Sequence, residues 1–323
     1  MTGLRLPRVL GFTALMLLAA VFSLPFVWQV STSLKTEDRV GNADLDLIPR
    51  AQTLLVDGKS VEVKPTERKG SQQVVEVLEG PKRGNKLTVA PGRLSLRPHL
   101  EWNNYSNGFK AFPFFHMLKN TLVICVLVVL GTVLSCSLAA YGLACVQWKG
   151  RETLFWVMLA TMMLPAQVTM IPLFQTFKGL GWINTILPLV VPAFCGNAFF
   201  IFLLRQFYRT IPASLMEAAR IDGASDLRIW ATVVLPLSKA ALAVVAVFSF
   251  IAAWNDFLGP LLYLMDDDKY TLAIGLARLQ GQYSSDWGRM MAMSVVMTLP
   301  LIVLFFLAQR TFVEGIKLGG VKG

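Results

Sequence analysis

The stretch MEAARIDGASDLRIWATVVLP, residues Met216–Pro236, is a polar and charged island between two long apolar runs. Its pattern predicts two short helices joined by a hinge. Ser214 and Glu217 have the spacing of a capping box, in which each side chain bonds the backbone N–H of the other. Gly223 suits the left-handed residue that ends a helix. The sequence therefore predicts a short, well-capped first helix that ends at this glycine.

The second short helix has its own start signal. Ser225 is a favoured N-cap residue, and Asp226 would place a carboxylate near the positive end of the helix. This helix would run into the apolar segment that follows Pro236. The island thus predicts two capped helices in a polar loop, with the hinge at Asp222–Ser225.

The composition of the whole chain indicates a membrane protein. The chain has 323 residues, of which 54% are hydrophobic and 15% charged, with a mean hydropathy of +0.56. This is too apolar for an ordinary soluble domain. The net charge of +10 is then best explained by topology and by the anionic inner leaflet. The basic residues are scattered along the chain rather than clustered on one helix, which argues against a nucleic-acid partner.

Six apolar runs are long enough to cross a bilayer, which needs about 20 residues of helix. The first, Val9–Val30, has no small-x-small cleavage site, so we interpret it as a retained span rather than a signal peptide. The other five lie at about 120–146, 153–177, 185–208, 231–264 and 290–310. The sequence therefore predicts an all-α integral membrane protein with six transmembrane helices.

The charges of the short loops predict the orientation of the chain. An N-terminus inside the cell puts the basic loop 147–152, the polar island at 208–230 and the C-terminal tail inside as well. The acidic loop 265–288 then lies outside. This distribution agrees with the positive-inside rule, in which short cytoplasmic loops carry the excess of Lys and Arg. The Met216–Pro236 island is thus predicted to be cytoplasmic.

A polar segment between the first two spans has strand signals. Asp57-Gly58 lies between two short apolar runs, which is a hairpin signal. Val74–Leu78 and Lys86–Val89 are further strand candidates, separated by Gly80-Pro81 and Gly84-Asn85. We expect a small β-rich insert at about 50–100, outside the cell. A flexible loop is the alternative, because the insert has few residues for a core.

The polar island resembles the EAA loop of ABC-importer permeases. The matching residues are Glu217-Ala218-Ala219, Gly223 three residues later, and Leu235-Pro236 at the expected distance, with Val233 where the family usually has Ile. In that family the loop is cytoplasmic, and its short helix docks in a groove of the ATP-hydrolysing subunit. The resemblance implies that Glu217, Ala218, Ala219, Asp222 and Gly223 couple this chain to an ATPase.

The resemblance extends over most of the chain from about Trp102 to the C-terminus, and includes the first span. Trp254-Asn255-Asp256 and the ending Gly320-Val321-Lys322-Gly323 are similar to elements of the maltose-G-like permeases of binding-protein-dependent carbohydrate importers. This implies the type I ABC importer permease fold in a bacterial or archaeal plasma membrane. The β-rich insert has no counterpart in the resemblance.

The resemblance also implies a division of the chain. The predicted parts are the N-terminal cytoplasmic end and first helix at 1–30, an extracytoplasmic segment at 31–116, a five-helix permease core at 117–312 with the EAA loop at 209–230, and a cytoplasmic tail at 313–323.

Partners follow from the resemblance and from one absent motif. The chain has no G-x-x-x-x-G-K-[ST] sequence, so ATP and Mg²⁺ are expected on a separate subunit and this chain is not expected to be an enzyme. The family implies a second homologous permease, two P-loop ATPase subunits, an extracytoplasmic solute-binding protein and membrane lipid. Gly320, Val321, Lys322 and Gly323 are candidates for a second contact with the ATPase.

Four polar residues at or near membrane depth are candidates for a translocation path: Gln167, Asn197, Asn255 and Asp256. Polar groups are costly there unless they face protein or water. For Gln167 and Asn197, hydrogen bonding between helices is the simpler interpretation. Asp256 would simply lie at the membrane interface.

The remaining reactive side chains predict no catalytic or metal site. We expect Cys125, Cys136, Cys145 and Cys195 to be buried as small apolar residues. His99 and His116 have no partner pattern, so neither is assigned to a metal.

Three other functions remain open on the sequence. The chain could be an ABC permease for another solute, such as phosphate, a polyamine or an osmolyte. An ion-driven secondary transporter would need intramembrane acids, for which Asp256 is thin support. A membrane-anchored binding or assembly protein would act through the β-rich insert.

Overall fold

The computed structural model describes residues 5–40, 46–56, 59–69, 72–79, 82–282 and 287–320. The predicted hairpin turn at Asp57-Gly58, the Gly80-Pro81 pair and residues 321–323 lie outside this part. The chain is mostly helical and divides into two compact units. One comprises Met1–Pro113 and Leu276–Thr298, and the other Phe114–Gly275 and Leu299–Gly323.

The first unit begins with a long apolar helix. Helix α1 (Arg5–Ser33) is followed by the short α2 (Glu37–Val40), and α3 (Asn103–Ala111) comes after the sheet. Asn104 on α3 donates from Nδ2 to the carbonyl oxygens of Ser33 and Lys35, at 2.9 Å each. The last carbonyls of a helix have no partner within it, so Asn104 satisfies the end of α1.

A five-stranded antiparallel sheet occupies the segment between α2 and α3. Its strands are β1 (Arg50–Val56), β2 (Lys59–Lys69), β3 (Gln72–Val77), β4 (Lys86–Val89) and β5 (Leu94–Pro98), in the order β4-β3-β2-β1-β5. Strand β5 was not among the strand candidates of the sequence. The small core of the sheet consists of Leu54, Val63, Val75 and Val77.

Strand β2 contains a proline, which the sheet accommodates with a bulge. Pro65 pairs with Val75, but the next pair is Glu67 with Val74, so Thr66 is an extra residue. Proline has no N–H for the ladder and is tolerated at such bulges. The Thr66 hydroxyl donates to the carbonyl of Val74 at 3.1 Å, which keeps the two strands together at this point.

The second unit is built from helices. They are α4 (Phe114–Ala144), α5 (Arg151–Thr161), α6 (Ala166–Gly179), α7 (Leu187–Val190), α8 (Ala198–Tyr208), α9 (Ala213–Ile221), α10 (Asp226–Ile229), α11 (Leu235–Leu237), α12 (Lys239–Trp254) and α13 (Leu258–Tyr263). The chain also has α14 (Leu272–Gln282) and α15 (Trp287–Gly320).

Four helical stretches of the described chain are long and apolar enough to cross a membrane on their own. They are Val9–Ser33, Phe114–Ala144, Leu187–Tyr208 and Trp287–Gln309. Two further pairs of helices pass the same test together, Arg151–Thr161 with Ala166–Gly179 and Asp226–Leu237 with Lys239–Trp254. The described chain therefore has four candidate membrane spans, or up to six if each bent pair of helices is one span.

The two pairs are sharply bent where the sequence predicted single apolar runs. The first pair bends by 97° next to Pro165, whose backbone is extended with ψ 134°. The second bends by 84° at Ser238, after a π-helical turn at Trp230–Val234 and Pro236. Proline removes one helical N–H and clashes with the preceding turn, so kinks concentrate at these positions.

The core of the second unit joins residues from six of its helices, α4, α5, α8, α9, α10 and α12. It contains Tyr141 from α4, Phe155 from α5, Leu204 and Tyr208 from α8, and Val245 from α12. Three of the cysteines are buried, as the sequence predicts, but Cys195 is exposed. The expectation for Cys195 was wrong because its short 3₁₀ turn, Val191–Cys195, has no buried residue.

Candidate functional site

Helix α9 contains Glu217, Ala218 and Ala219 of the EAA loop, but it does not begin as predicted. Its N-cap is Pro212, and no side chain caps it. The prediction of a capping box formed by Ser214 and Glu217 is therefore wrong. A capping side chain must belong to the non-helical residue before the helix. Because α9 already starts at Ala213, Ser214 lies inside the first turn.

The end of α9 is the glycine-terminated helix stop that the sequence predicts. Gly223 has φ +78°. Its N–H donates to the carbonyl of Arg220 at 3.0 Å, and the N–H of Ala224 donates to that of Ala219 at 3.0 Å. This pair of bonds defines a Schellman motif, which satisfies carbonyls at the end of the helix. The direction of the chain after α9 is thus fixed by Gly223.

The second helix starts as the sequence predicts. The Ser225 hydroxyl accepts a hydrogen bond from the N–H of Arg228 at 3.4 Å, and Asp226 lies in the first turn of α10. A carboxylate is favourable there because the N-terminus of a helix carries partial positive charge. The loop therefore holds two helix termini only a few residues apart.

The exposed side of α9 combines charge and apolar surface. Glu217 is exposed and has no side-chain hydrogen bond or ion pair with another described residue. Ile221 is 87% exposed, and Leu215 is also exposed, whereas Met216 is buried in the core. The helix is thus anchored on one side and presents an exposed carboxylate and exposed apolar side chains on the other.

Arg220, Asp226 and Tyr141 connect α9 to the end of α4. The Asp226 carboxylate accepts from the Tyr141 hydroxyl at 3.1 Å and from Arg220 Nη2 at 3.2 Å. The same Arg220 Nη2 donates to the carbonyl of Cys145, one residue past α4, at 3.3 Å. From the sequence, Asp226 was expected only in the first turn of the second helix, and no contact with Arg220 or Tyr141 was predicted for it.

A buried arginine stabilises the core beneath this loop. Arg205 on α8 is 2% exposed, and its Nη2 lies 2.6 Å from Glu152 Oε1. Its Nε donates to the carbonyl of Leu143 at 3.1 Å, and its guanidinium lies 3.9 Å from the ring centroid of Phe155. A buried charge persists only when it is paired and hydrogen-bonded. Arg205 therefore ties α8 to α5 and to the last turn of α4.

The predicted translocation residues fall in different places. Asn197 and Asp256 line the same cavity of about 750 Å³, together with Thr121, Thr132 and Ser249. Gln167 lines a second cavity of about 250 Å³, which Asp256 also borders. The Asn255 side chain lines neither of these two cavities, and its Nδ2 donates to the carbonyl of Ile251 at 2.9 Å.

Two of the polar residues of the larger cavity, Asn197 and Asp256, bond to backbone N–H groups at the starts of helices. Asn197 Oδ1 accepts from the N–H groups of Phe199 and Phe200, at 3.0 and 3.3 Å. Asp256 Oδ1 accepts from the N–H of Gly259 at 3.0 Å. Their side chains thus bond to the starts of α8 and α13, rather than to another helix as expected for Asn197.

The acidic loop at 265–270 is held by asparagines that the sequence analysis left without a structural role. Asn184, with φ +63°, accepts on Oδ1 from the N–H groups of Met265 and Asp266 and donates from Nδ2 to the Asp266 carboxylate. Hydrogen bonds from Lys269 and Asn184 lower the pKa of Asp266. Asn120 Nδ2 donates to the carbonyls of Asp268 and Tyr270.

The remaining predicted residues are partly outside the described chain. Gly320 is the last residue of α15, and Val321, Lys322 and Gly323 lie outside the described residues. The two histidines have different surroundings. His116 Nε2 lies 2.6 Å from the carbonyl oxygen of Asp268, whereas His99 lies between Glu62 and Glu101.

Long apolar helices joined by a polar loop define an integral membrane protein. The family described as binding-protein-dependent transport system inner membrane component matches residues 118–317. The chain belongs to this family, and it is a permease subunit of an ABC importer.

Two curated relatives are similar over most of the chain. The arabinooligosaccharides transport system permease protein AraQ of Halalkalibacterium halodurans is 37% identical over 204 residues, 63% of this chain and 73% of that protein. The sn-glycerol-3-phosphate transport system permease protein UgpE of Escherichia coli (strain K12) is 34% identical over 233 residues, 71% of this chain and 82% of that protein.

A solved structure shares the fold. It is the crystal structure of a bacterial ABC transporter involved in the import of the acidic polysaccharide alginate. The match has a TM-score of 0.70 and covers 97% of this chain and 98% of that chain, at 22% sequence identity. At this identity the likeness concerns the fold alone.

Proposed function

We propose that this permease imports a sugar or oligosaccharide and that helix α9 couples it to a separate ATPase. The observation that supports this most is the exposed side of α9, where Glu217 has no described side-chain partner and Ile221 is 87% exposed. An exposed apolar surface with a charged side chain beside it is typical of a helix that docks on a partner protein. ATP and Mg²⁺ would bind to the partner, not to this chain.

The assembly consists of this chain, a second homologous permease, two P-loop ATPases and an extracytoplasmic solute-binding protein. The two bent helix pairs each cross the membrane once, giving six spans with both termini in the cytoplasm. The sheet of β1–β5 and the acidic loop at 265–270 then lie outside. Tail residues 320–323 provide a second contact with the ATPase.

The substrate class rests on the relatives. Their names specify arabinooligosaccharides and sn-glycerol-3-phosphate, so an oligosaccharide is the first candidate and a polyol phosphate the second. The cavity that contains Asn197 and Asp256 is the proposed part of the path in this chain. Membership of this family argues against an ion-driven secondary transporter and against a membrane-anchored binding or assembly protein.

Transport would proceed by movement of α9. Closure of the ATPase dimer displaces the docked helix, and the link through Arg220, Asp226 and Tyr141 transmits this displacement to α4. The bent pairs then change between inward-open and outward-open arrangements, which the ligands only bias.

The test is purification of the tagged full chain from its native membrane in mild detergent. We expect a second permease and a P-loop ATPase to co-purify. Glu217→Lys should lose the ATPase and keep the second permease, because it reverses the charge only at the docking helix. The control Glu79→Lys reverses an exposed charge next to β3 and should keep both.

Recovery of the chain alone, or of an ATPase equally retained by Glu217→Lys, would contradict the proposal. If a solute-binding protein co-purifies with the importer, its binding of arabinooligosaccharides and of sn-glycerol-3-phosphate is measured by titration. Binding of only the second ligand would move the assignment to a polyol phosphate.

A further inference from the structure

Three side chains with metal-ligating atoms meet beside the sheet. Glu62 belongs to β2, His99 follows β5, and Glu101 lies before α3. One ligand atom from each of the three lies within 4.8 Å of the others. All three belong to the first compact unit. His99 has no partner pattern in the sequence because Glu62 comes from a distant strand and Glu101 alone does not make a metal-ligand motif.

The distances are close to those of a metal centre. Glu62 Oε2 lies 3.7 Å from His99 Nδ1, and Glu101 Oε2 lies 3.6 Å from His99 Nε2. Two ligands that each bind zinc at about 2.0–2.2 Å in a tetrahedral site are about 3.4 Å apart. One imidazole gives a single nitrogen to one ion. One ligand atom from each of the three side chains can be chosen so that all three lie within 4.8 Å of one another.

The cluster is held in place by the surrounding backbone. Glu101 Oε1 accepts from the N–H of Asn103 at 3.2 Å, which leaves Oε2 directed at His99. The N–H of Glu101 donates to the carbonyl of Leu34, and the N–H of His99 to that of Pro49. Such outer contacts orient metal ligands and strengthen binding.

A cavity beside the cluster provides independent support for a bound ligand. It has about 310 Å³ and is lined by Glu62, Glu101, Thr36 and Gln52, among others. Thr36 is only 9% exposed, and its Oγ1 has no hydrogen-bond partner among the described residues. Gln52 Oε1 is also buried and has no hydrogen-bond partner among the described residues. Buried polar atoms are costly without a partner, and a hydrated cation would supply one.

The charge of the cavity also favours a cation. Its described lining has three carboxylates, from Glu37, Glu62 and Glu101, and two cationic side chains, from Lys64 and Arg289. Lys64 Nζ lies 2.6 Å from Glu37 Oε2. The described lining therefore carries one more carboxylate than cationic side chains.

We propose that Glu62, His99 and Glu101 form a binding site for a divalent transition-metal ion, with Zn²⁺ as its best representative. One imidazole nitrogen and two carboxylate oxygens suit Zn²⁺ or Mn²⁺, whereas Ca²⁺ requires six to eight oxygen ligands. The open coordination positions would face the cavity. A bound ion would link β2 to the segment before α3 and would stabilise the sheet.

The test uses the full chain in detergent, purified through a tag without histidine. The protein is equilibrated with ZnCl₂, dialysed, and its metal content measured by mass spectrometry. We expect about one equivalent for the wild type. His99→Asn and Glu62→Gln should bind at least tenfold more weakly. The control His116→Asn removes the other histidine and should bind like the wild type.

A second measurement separates metal binding from misfolding. Zn²⁺ should raise the thermal unfolding temperature of the wild type and of His116→Asn, but not of His99→Asn, and Ca²⁺ at the same concentration should raise none of them. Wild-type protein with less than about a tenth of an equivalent of zinc would overturn the proposal. So would equal zinc binding by His99→Asn. Stability that depends on His99 only through pH would instead assign the cluster to an imidazolium between two carboxylates.

Discussion

At the scale of the residue, the backbone conformation of Gly223 restricts which residues can replace it in the EAA loop. A Cβ added there meets no atom within 4 Å, so the constraint is the backbone angle of φ +78° rather than space. The left-handed conformation costs a residue with a Cβ about 1–2 kcal/mol. We therefore expect Gly223→Val to lose most ATP-driven uptake in the assembled importer while membrane insertion is retained.

A graded series tests the cause of that loss. Asn tolerates the left-handed region better than other residues, so Gly223→Asn should keep more uptake than Gly223→Ala, and Gly223→Ala more than Gly223→Val. Wild-type uptake by Gly223→Val would show that the turn has no role in coupling.

Two serines of the same loop should respond differently to replacement by alanine. Ser225 caps α10, whereas Ser214 lies within α9 without a capping bond. Loss of an N-cap costs about 0.5–2 kcal/mol, and the 3.4 Å bond of Ser225 suggests the lower half of this range. Ser225→Ala should therefore lower the free energy of unfolding in detergent by about 0.5–1 kcal/mol.

Ser214→Ala is the matched control. It should remain within about 0.5 kcal/mol of the wild type, because the residue is exposed and alanine favours helix. A loss for Ser214→Ala as large as that for Ser225→Ala would mean that Ser214 caps α9 after all.

At the scale of the element, the connection of α9 to α4 depends on one carboxylate. Asp226 accepts from both Tyr141 and Arg220. A double-mutant cycle of Tyr141→Phe and Asp226→Asn should give a coupling energy of about 0.5–1.5 kcal/mol in unfolding, because the first change removes the donor and the second replaces the charged acceptor by a weaker neutral one. The two single variants should also reduce uptake per ATP hydrolysed.

The control cycle pairs Tyr141→Phe with Asp222→Asn. Asp222 is exposed and has no side-chain bond to Tyr141, so these two changes should be additive within about 0.5 kcal/mol. Additivity in the Asp226 cycle would remove the proposed connection between the two helices.

At the scale of the whole molecule, the bent pairs decide the topology. The proposed six spans put Lys149 in the cytoplasm and Lys178 outside, on either side of α5 and α6. In a chain whose cysteines are replaced by alanine, Lys178→Cys should react with an impermeant maleimide added to intact spheroplasts. Lys149→Cys should react only after the membrane is permeabilised.

Two further positions complete this test. Arg83→Cys in the turn before β4 and Lys269→Cys in the acidic loop should both react from outside. Protection of Lys178→Cys in intact spheroplasts would mean that α5 and α6 form a re-entrant segment and would reduce the number of spans.

The sequence by itself determined the features that depend on neighbouring residues. The apolar runs, the left-handed Gly223 and the Ser225 cap follow from hydropathy and from backbone preferences, which act over a few residues. The family could be identified for the same reason, because the spacing from Glu217 to Pro236 is local. The start of α9 was misjudged by two residues, because the helix has Pro212 rather than Ser214 as its N-cap.

Only the tertiary structure decided which distant side chains meet. Asp226 reaches Tyr141 across 85 positions of the chain, and Arg205 reaches Glu152 across 53. The environment of His99 likewise depends on how β2 and the segment after β5 approach one another. Polar side chains combine over a few ångströms of space, and that proximity is fixed by the packing of helices and strands rather than by spacing along the sequence.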